Sequence, residues 1–252
     1  MRILAVDTCG KSCSVAVSDG AELAAEVFTL RRQTHSRHLM PMVEMALEIS
    51  GIRPEEIDAF AVTRGPGSFT GLRIGMSTVK GMALAVGKPV VGVSSLEALA
   101  WSVAVPGRLV CAVLDAGKGE VYGACYRFPE RFSGQETEVS TENPPFQLVM
   151  EERVLRPGDL LEKLSEPCTF AGDGVRVYAG MIAERLGNLA RFPADECHDI
   201  RASSVARLAI LQLNRVGGMG PEALLPKYLR KSDAELSLGR PRTPMVLIDN
   251  TP

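Results

Sequence analysis

A glycine-rich segment with two hydroxyl residues is the part of the chain whose residue types most suggest ligand chemistry. It reads Arg64-Gly65-Pro66-Gly67-Ser68-Phe69-Thr70-Gly71-Leu72-Arg73-Ile74-Gly75. It joins a predicted strand to a predicted helix, so its hydroxyls and the free amides of the helix N-terminus could hold a phosphate. However, the spacing of its first three glycines is one residue too long for the dinucleotide pattern, and no Gly-Lys-Ser/Thr follows. By chemistry alone, residues 65–70 are predicted to form a tight structural loop.

Two aspartates at predicted strand ends are the candidates for nucleotide binding. Asp7, with Thr8 beside it, ends the first predicted strand, and Asp115 ends a later one. A turn containing a Gly-Lys pair follows each aspartate. A carboxylate beside such a turn suits a hydrated Mg²⁺ ion, but it equally suits capping of the turn's own amides. The sequence therefore leaves weak nucleotide binding open and gives no basis for hydrolysis.

The histidines and cysteines do not form a catalytic or metal-binding set in the sequence. His35 and His38 can share one face of a helix, but no carboxylate or cysteine is spaced to complete a metal site. An interface or capping role is expected for both. His198 is expected in a surface turn, and Cys9 and Cys13 flank a turn without a nearby base. We predict no catalytic residue and no metal ligand.

The overall composition is that of a soluble globular protein. The chain has 252 residues, of which 46% are hydrophobic and 23% charged, and its formal net charge is -2. This charge does not indicate a nucleic-acid-coating protein. The N-terminus reads as a first strand rather than a secretory segment, and no stretch approaches the roughly 20 apolar residues of a membrane span, so a cytoplasmic location is expected. Six cysteines without a C-x-x-C pair are expected to be reduced and mostly buried.

A similar arrangement of strands occurs twice in the chain. Strand patterns at 3–7, 14–18 and 23–28 form a predicted β-meander, and strands at 109–115 and 120–126 repeat its beginning. The separation of roughly a hundred residues is domain-sized, which favours a duplicated α/β lobe, although chance is a comparable explanation. Boundaries are predicted at 1–105 for a first lobe, 106–220 for a second and 221–252 for a C-terminal arm packing back. Helices are predicted at 35–50, 71–86, about 95–101, 157–164, 175–186 and 202–214.

The helix at 35–50 is apolar on most of its circumference. Charges occur only at Arg37, Glu44 and Glu48, so a single core contact would not cover the helix. The next helix is rich in small residues and methionines, which favour close helix-on-helix docking. The pattern fits either a partner interface or a pair of helices buried inside one lobe, and both interpretations stay open.

The glycine-rich segment closely resembles the G-P-G-S-F-T-G-x-R-I-G signature of the TsaB (YeaZ) family. This family is related to the TsaD (Kae1) family, and the two together make threonylcarbamoyladenosine in tRNA. Further similar segments are Asp7-Thr8, His35-Ser36, the stretch 94–100, Asp115-Ala116 and the Pro-x-Tyr-Leu-Arg string at 226–230. The resemblance extends from residue 1 to about residue 231 and is weakest between 127 and 220.

The resemblance implies a fold, partners and an interface. The implied fold is the α/β actin-like (ASKHA, ribonuclease H-like) fold with two duplicated lobes, each holding a β-meander and helices. The implied partners are a TsaD-type catalytic subunit, a TsaE-type ATPase and a second copy of the chain, which would bind through the same helices. The chain would contact tRNA only indirectly and would not contact a membrane. No cofactor is expected on this chain, and ATP or ADP would be bound by the complex. The expected interface residues are His35, His38, Leu39, Met42, Met45, Gly71, Arg73, Gly75, Met76, Val79 and Met82.

The catalytic relatives carry a segment of the type V-N-H-L-E-A-H that supplies two metal-binding histidines. The equivalent stretch here is 93–99, with Ser95 and Leu99 at the histidine positions. A serine and a leucine cannot replace two imidazoles on a transition metal. The resemblance thus implies a non-catalytic scaffold that activates threonylcarbamoyl transfer to tRNA. An independent ATP-dependent phosphotransferase of the same fold and a metallopeptidase are the competing interpretations.

Overall fold

Each half of the chain folds into a five-stranded mixed sheet, and the computed structural model describes residues 1–30, 35–134 and 145–230. The first sheet has the order β3-β2-β1-β4-β5, with antiparallel pairing among β1 to β3 and parallel pairing from β1 to β4 and β5. Its strands are β1 (Arg2–Asp7), β2 (Cys13–Asp19), β3 (Glu22–Thr29), β4 (Ala59–Thr63) and β5 (Val90–Val93). Its helices are α1 (His35–Ser50), α2 (Phe69–Val86) and α3 (Ser95–Ser102).

The second half repeats the element order of the first. Its strands are β6 (Leu109–Gly117), β7 (Glu120–Arg127), β8 (Gln147–Leu155), β9 (Cys168–Ala171) and β10 (Ala190–Arg191). Its helices are α4 (Pro157–Leu161), α5 (Asp173–Leu186) and α6 (Ala202–Val216). The sheet order β10-β9-β6-β7-β8 is the first order read backwards, with the same antiparallel and parallel pairs. The predicted duplication and the actin-like α/β fold class are therefore confirmed.

Most predicted elements are present, with differences at the edges of the second lobe. Helix α1 has the predicted bounds, and α2 begins two residues earlier than predicted, with Ser68 as its N-cap. Strands β8, β9 and β10 were not predicted, and α4 is shorter than predicted. Thr34, the expected cap of α1, lies outside the described residues. Among those described, no helix is long and apolar enough to cross a bilayer.

Helices α3 and α6 lie between the two sheets and join the lobes. Their buried residues form one cluster with β1 and β6, including Ile3, Leu96, Leu99, Val110 and Val205. Helix α3 contacts β6 and β7, whereas α6 contacts β1 and β2, so each helix packs on the sheet of the other half. Helices α1 and α2 cover the outer face of the first sheet, and α4 and α5 that of the second. Five of the six cysteines are buried.

The predicted C-terminal arm begins on the first lobe. Met219 pairs with Val90 as an isolated antiparallel bridge, and Leu224 is fully buried in the core beneath α2. The amide of Lys227 donates to the carbonyl of Arg64 over 2.7 Å. The arm thus packs back as far as residue 230, and the rest of it lies outside the described residues.

The start of α2 packs against the end of β1 at backbone distance. The Thr8 hydroxyl donates to the Gly71 carbonyl over 2.7 Å. A Cβ atom added at Gly71 would overlap the Thr8 carbonyl oxygen, and one added at Gly75 would overlap the Thr8 hydroxyl. Because the two glycines are four residues apart, they lie on the same face of α2, and this face can contact the end of the strand without a side chain in between.

Gly71→Ala should destabilise the protein, because its methyl group overlaps a backbone oxygen that cannot move independently. We expect a loss of about 2–3 kcal/mol in the free energy of unfolding, measured by urea denaturation. Gly81→Ala is the matched control in the same helix. No atom lies within 4 Å of a Cβ there, so it should stabilise by about 0.5–1 kcal/mol. Equal stability of the two variants would contradict the close packing.

Candidate functional site

The glycine-rich loop before α2 uses its polar groups within the chain. The Ser68 hydroxyl accepts from the Gly71 amide over 3.2 Å, and the Ser68 amide donates to the Cys9 carbonyl over 2.7 Å. A Cβ added at Gly67 would lie 2.6 Å from the Cys9 carbonyl oxygen. Gly65 and Pro66 complete the loop, whereas Phe69 and Thr70, which were predicted in the loop, are the first two residues of α2. These contacts give the loop a structural role in positioning α2 rather than the geometry of a phosphate cradle.

A cleft of about 480 Å³ separates the two lobes. Its lining includes Lys11 from the β1–β2 turn, Asp115 and Lys118 from the β6–β7 turn, Asp173 and Tyr228. Asp115 accepts from the Gly117 amide over 2.9 Å, so its carboxylate caps its own turn. Asp115 therefore lies at the cleft, but part of its hydrogen-bonding capacity is already used.

The other two predicted nucleotide-binding residues do not line the cleft. Asp7 is fully buried, and its Oδ1 accepts from the Thr63 hydroxyl over 2.7 Å and from the Cys9 amide over 3.3 Å. Burial raises the pKa of Asp7, while the bonds from Thr63 and Cys9 oppose the rise. The Thr8 hydroxyl is bonded to Gly71. Neither side chain is placed to reach a ligand between the lobes.

The positions that hold histidines in the catalytic relatives are fully buried here. Ser95 and Leu99 lie on α3 with no exposed surface. In the described part of the chain, no three His, Cys, Asp or Glu side chains are grouped so that they could hold a metal ion. The residues at this position therefore do not fit a metal centre.

The three histidines have separate structural surroundings. The expectation that His198 lies in a surface turn is wrong, because the side chain is buried and accepts from the Gly172 amide at Nδ1 over 3.2 Å. Desolvation lowers the pKa of His198. The His35 ring lies 3.1 Å from the Gly10 carbonyl, which ties the start of α1 to the β1–β2 turn. His38 is half-buried on α1.

Many residues expected at the partner interface are buried within the first lobe. These are Leu39, Met42, Gly71, Gly75, Met76 and Val79. These six residues therefore pack inside the lobe rather than at its surface, which corrects the prediction that they contact a partner directly. A helix with apolar residues on several sides does not show in its sequence which side packs on its own sheet. Arg73 and Met45 are exposed, and His35, His38 and Met82 are half-buried. Met45 lies on the flank of α1 that faces β3, beside Val27 and Thr29.

An exposed groove of about 590 Å³ runs between α1 and α2. We call its exposed and half-exposed lining, together with Leu84 further along α2, the docking surface. It comprises Ser36, Met40, Phe69, Thr70, Arg73, Ile74, Ser77, Thr78 and Leu84. Met40 is 42% exposed at the groove, and Leu84 is 67% exposed further along α2, so two large apolar side chains of these helices lie in water. The interface residues predicted from the sequence lie on the same two helices but do not include Met40 or Leu84.

A buried polar cluster that sequence reasoning missed joins the lobes behind the cleft. Glu152 on β8 bonds to the Ser94 hydroxyl, accepts from the Tyr126 hydroxyl over 3.3 Å and lies 2.8 Å from the Lys227 ammonium. Glu97 on α3 is nearby. Burial, with the neighbouring charge of Glu152, raises the pKa of Glu97 to about 7. No local sequence signal could have found the cluster, because its members come from distant parts of the chain.

The chain matches one family model over most of its length. The model is described as TsaD: tRNA N6-adenosine threonylcarbamoyltransferase, and it matches residues 27–238.

Individual relatives carry a related name. The tRNA threonylcarbamoyladenosine biosynthesis protein TsaB of Bacillus subtilis is 29% identical over 238 residues, which cover 93% of this chain and 96% of that protein. The protein of the same name in Escherichia coli is 42% identical over 144 residues, or 55% of this chain and 62% of that protein. The solved structure of YeaZ from Pseudomonas aeruginosa is similar with a TM-score of 0.72 and 30% identity, covering 90% of this chain and 100% of that one.

Glu97→Gln should change how stability depends on pH. Because the pKa of folded Glu97 is raised from 4.5 to about 7, protonated Glu97 favours folding; this contribution is complete below pH 4.5 and is lost as pH rises from there through 7. We expect the variant to match the parent at about pH 4 and to exceed its free energy of unfolding by about 1–2 kcal/mol at pH 8. Glu184→Gln, at an exposed position of α5, is the control. Parallel pH profiles for the parent and Glu97→Gln would contradict the desolvation of Glu97.

Proposed function

The chain belongs to the TsaB (YeaZ) family, relatives of the TsaD-type tRNA N6-adenosine threonylcarbamoyltransferases, and from this we propose that it is a non-catalytic scaffold subunit. Its place in the machinery of tRNA threonylcarbamoyladenosine biosynthesis follows from the family. The scaffold role and the identity of its direct partner are the proposal. The partner would be a TsaD-type catalytic subunit.

The docking surface is the observation that carries the proposal. Its helices already cover the first sheet with one side, and their other side leaves Met40 and Leu84 exposed around a groove. Exposed apolar residues with polar residues among them are typical of protein interfaces. A related subunit with helices in the same place could pack its own pair against them.

The replaced histidine positions support a role without catalysis. A buried serine and a buried leucine offer neither an imidazole nor an open position to a metal ion. A TsaD-type partner would supply the chemistry, while this chain would hold that partner in a productive arrangement. These residue types also argue against the metallopeptidase interpretation.

The cleft supports assigning nucleotide binding to other subunits. Since Asp7 is buried and Thr8 is bonded to α2, the carboxylate and hydroxyl that would approach a metal–nucleotide are not at the cleft surface. We therefore place any ATP or ADP on the complex, with a TsaE-type ATPase as a further partner, and place tRNA in indirect contact only. A homodimer through the docking surface would form when the catalytic subunit is missing.

Met40→Glu should weaken pairing with the TsaD-type subunit while leaving the monomer folded. Met40 is exposed, so the new charge costs little in the free chain and is desolvated only in the complex. We expect a loss of at least about 2 kcal/mol, roughly thirtyfold in Kd, by titration calorimetry with the purified partner, and a similar loss for Leu84→Glu. Met42 and Met76 are unsuitable positions, because a charge at either buried site would unfold the lobe.

Met181→Glu is the matched control for this experiment. Met181 is 40% exposed on α5 of the second lobe, almost the same exposure as Met40. It should leave the Kd unchanged. If Met40→Glu and Leu84→Glu both bind like the parent, the docking surface is wrongly placed. If the parent itself does not bind a TsaD-type subunit, the scaffold proposal fails.

A further inference from the structure

Four residues at the mouth of the cleft, 227–230, contact both lobes. They follow a segment that is fixed on the first lobe by the Met219–Val90 bridge and by buried Leu224. Lys227, Tyr228, Leu229 and Arg230 all line the cleft. We refer to residues 227–230 as the strap.

The backbone and the aromatic ring of the strap are attached to the first lobe. Besides the bond from the Lys227 amide to Arg64, the Lys227 carbonyl packs against Gly65, where a Cβ would lie only 2.6 Å from its oxygen. The Tyr228 ring stacks on Phe69 with 4.7 Å between ring centroids, and its hydroxyl accepts from Arg73 Nε over 3.2 Å. The strap is therefore part of the first lobe and continuous with the start of α2.

The two cationic side chains of the strap bind the second lobe. The Lys227 ammonium lies 2.8 Å from Glu152 Oε2, and the Glu152 side chain is only 5% exposed. The Arg230 guanidinium donates to the Ala116 carbonyl over 3.1 Å and lies 3.3 Å from Glu120 Oε2. The Lys227 side chain is 41% exposed, so the cost of breaking its ion pair lies on the buried Glu152 carboxylate, which would be left without its partner.

These two attachments lie apart on the second sheet. Glu120 begins β7, whereas Glu152 lies opposite the middle of β7. Four residues along a strand correspond to about 13 Å. One attachment would allow the lobes to rotate about it, whereas two separated attachments resist both opening and twisting.

We propose that the strap is a clamp that fixes the opening of the interlobe cleft, so that the lobes move as one body. Two-lobed proteins with a cleft commonly close by hinge motion around a ligand. In this chain the strap connects the lobes across the cleft by charged contacts of its own. Because Tyr228 also packs on Phe69 and Arg73 of the docking surface, the clamp makes that surface and the second lobe a single rigid unit.

Cys9 provides a native probe of the cleft opening. It is buried at the lining of the cleft, whereas Cys111 is fully buried within the second sheet. Opening of the lobes would expose Cys9 alone, while global unfolding would expose both thiols. The rates at which iodoacetamide alkylates the two cysteines, read by peptide mass spectrometry, therefore separate the two kinds of motion.

The test is the double variant Lys227→Gln/Arg230→Gln in the isolated full chain. We expect at least about tenfold faster alkylation of Cys9 than in the parent, which corresponds to about 1.4 kcal/mol in the opening equilibrium, with the Cys111 rate unchanged. Lys80→Gln/Lys88→Gln removes the same amount of charge, from α2 and from a position two residues beyond its end, and should leave both rates as in the parent.

Two results would overturn the clamp. An unchanged Cys9 rate would show that the charged contacts do not hold the lobes, and equal acceleration of Cys9 and Cys111 would show a general loss of stability. The single variants Lys227→Gln and Arg230→Gln provide a milder form of the same test. No partner subunit is involved, so the result stands apart from that of the docking experiment.

Discussion

The packing of α2 directly on the end of β1 is the constraint on which the functional surface depends. Gly71 and Gly75 allow the helix to approach Thr8 at backbone distance, and the Thr8 hydroxyl bonds to the helix there. This contact uses the groups that could otherwise face a ligand, and it fixes the direction in which α2 leaves the sheet. The same residues therefore account for both the position of the docking surface and the loss of ligand-binding geometry at the loop.

Most of the polar side chains near the lobe boundary form hydrogen bonds or ion pairs with other groups of the chain. Asp7 is bonded to Thr63 and Cys9, Glu152 to Ser94 and Lys227, and Asp115 to its own turn. Buried polar groups require such partners, and partners supplied by the chain leave less capacity for a substrate. This pairing is incomplete in the described structure, because Asp7 Oδ2 and Ser95 Oγ are buried without a hydrogen-bond partner.

The strand–helix pattern and the element order could be predicted from sequence, whereas the direction of several side chains could not. The bounds of α1 follow from its apolar run and from Gly51 after it, and the D-G turn marks the first hairpin. Strand β8 alternates half-buried and exposed residues from Val149 to Val154, but its sequence does not alternate apolar and polar residues, and β10 has only two residues, so neither gives a periodic sequence signal. On α1, the sequence cannot tell that Leu39 and Met42 meet the sheet while Met40 meets water, because that choice depends on where α2 lies.

The two lobes explain why only one of them presents a docking surface. Element by element, α1 corresponds to α4 and α2 to α5, since each pair lies between equivalent strands. Helix α1 has 16 residues, whereas α4 has five, too few for more than about one and a half turns. Among the described residues, a groove between two long helices is therefore present only on the first sheet. The second lobe keeps the duplicated sheet and contributes α6 to the shared core, where α6 packs on β1 and β2 and so supports the sheet that carries α1 and α2.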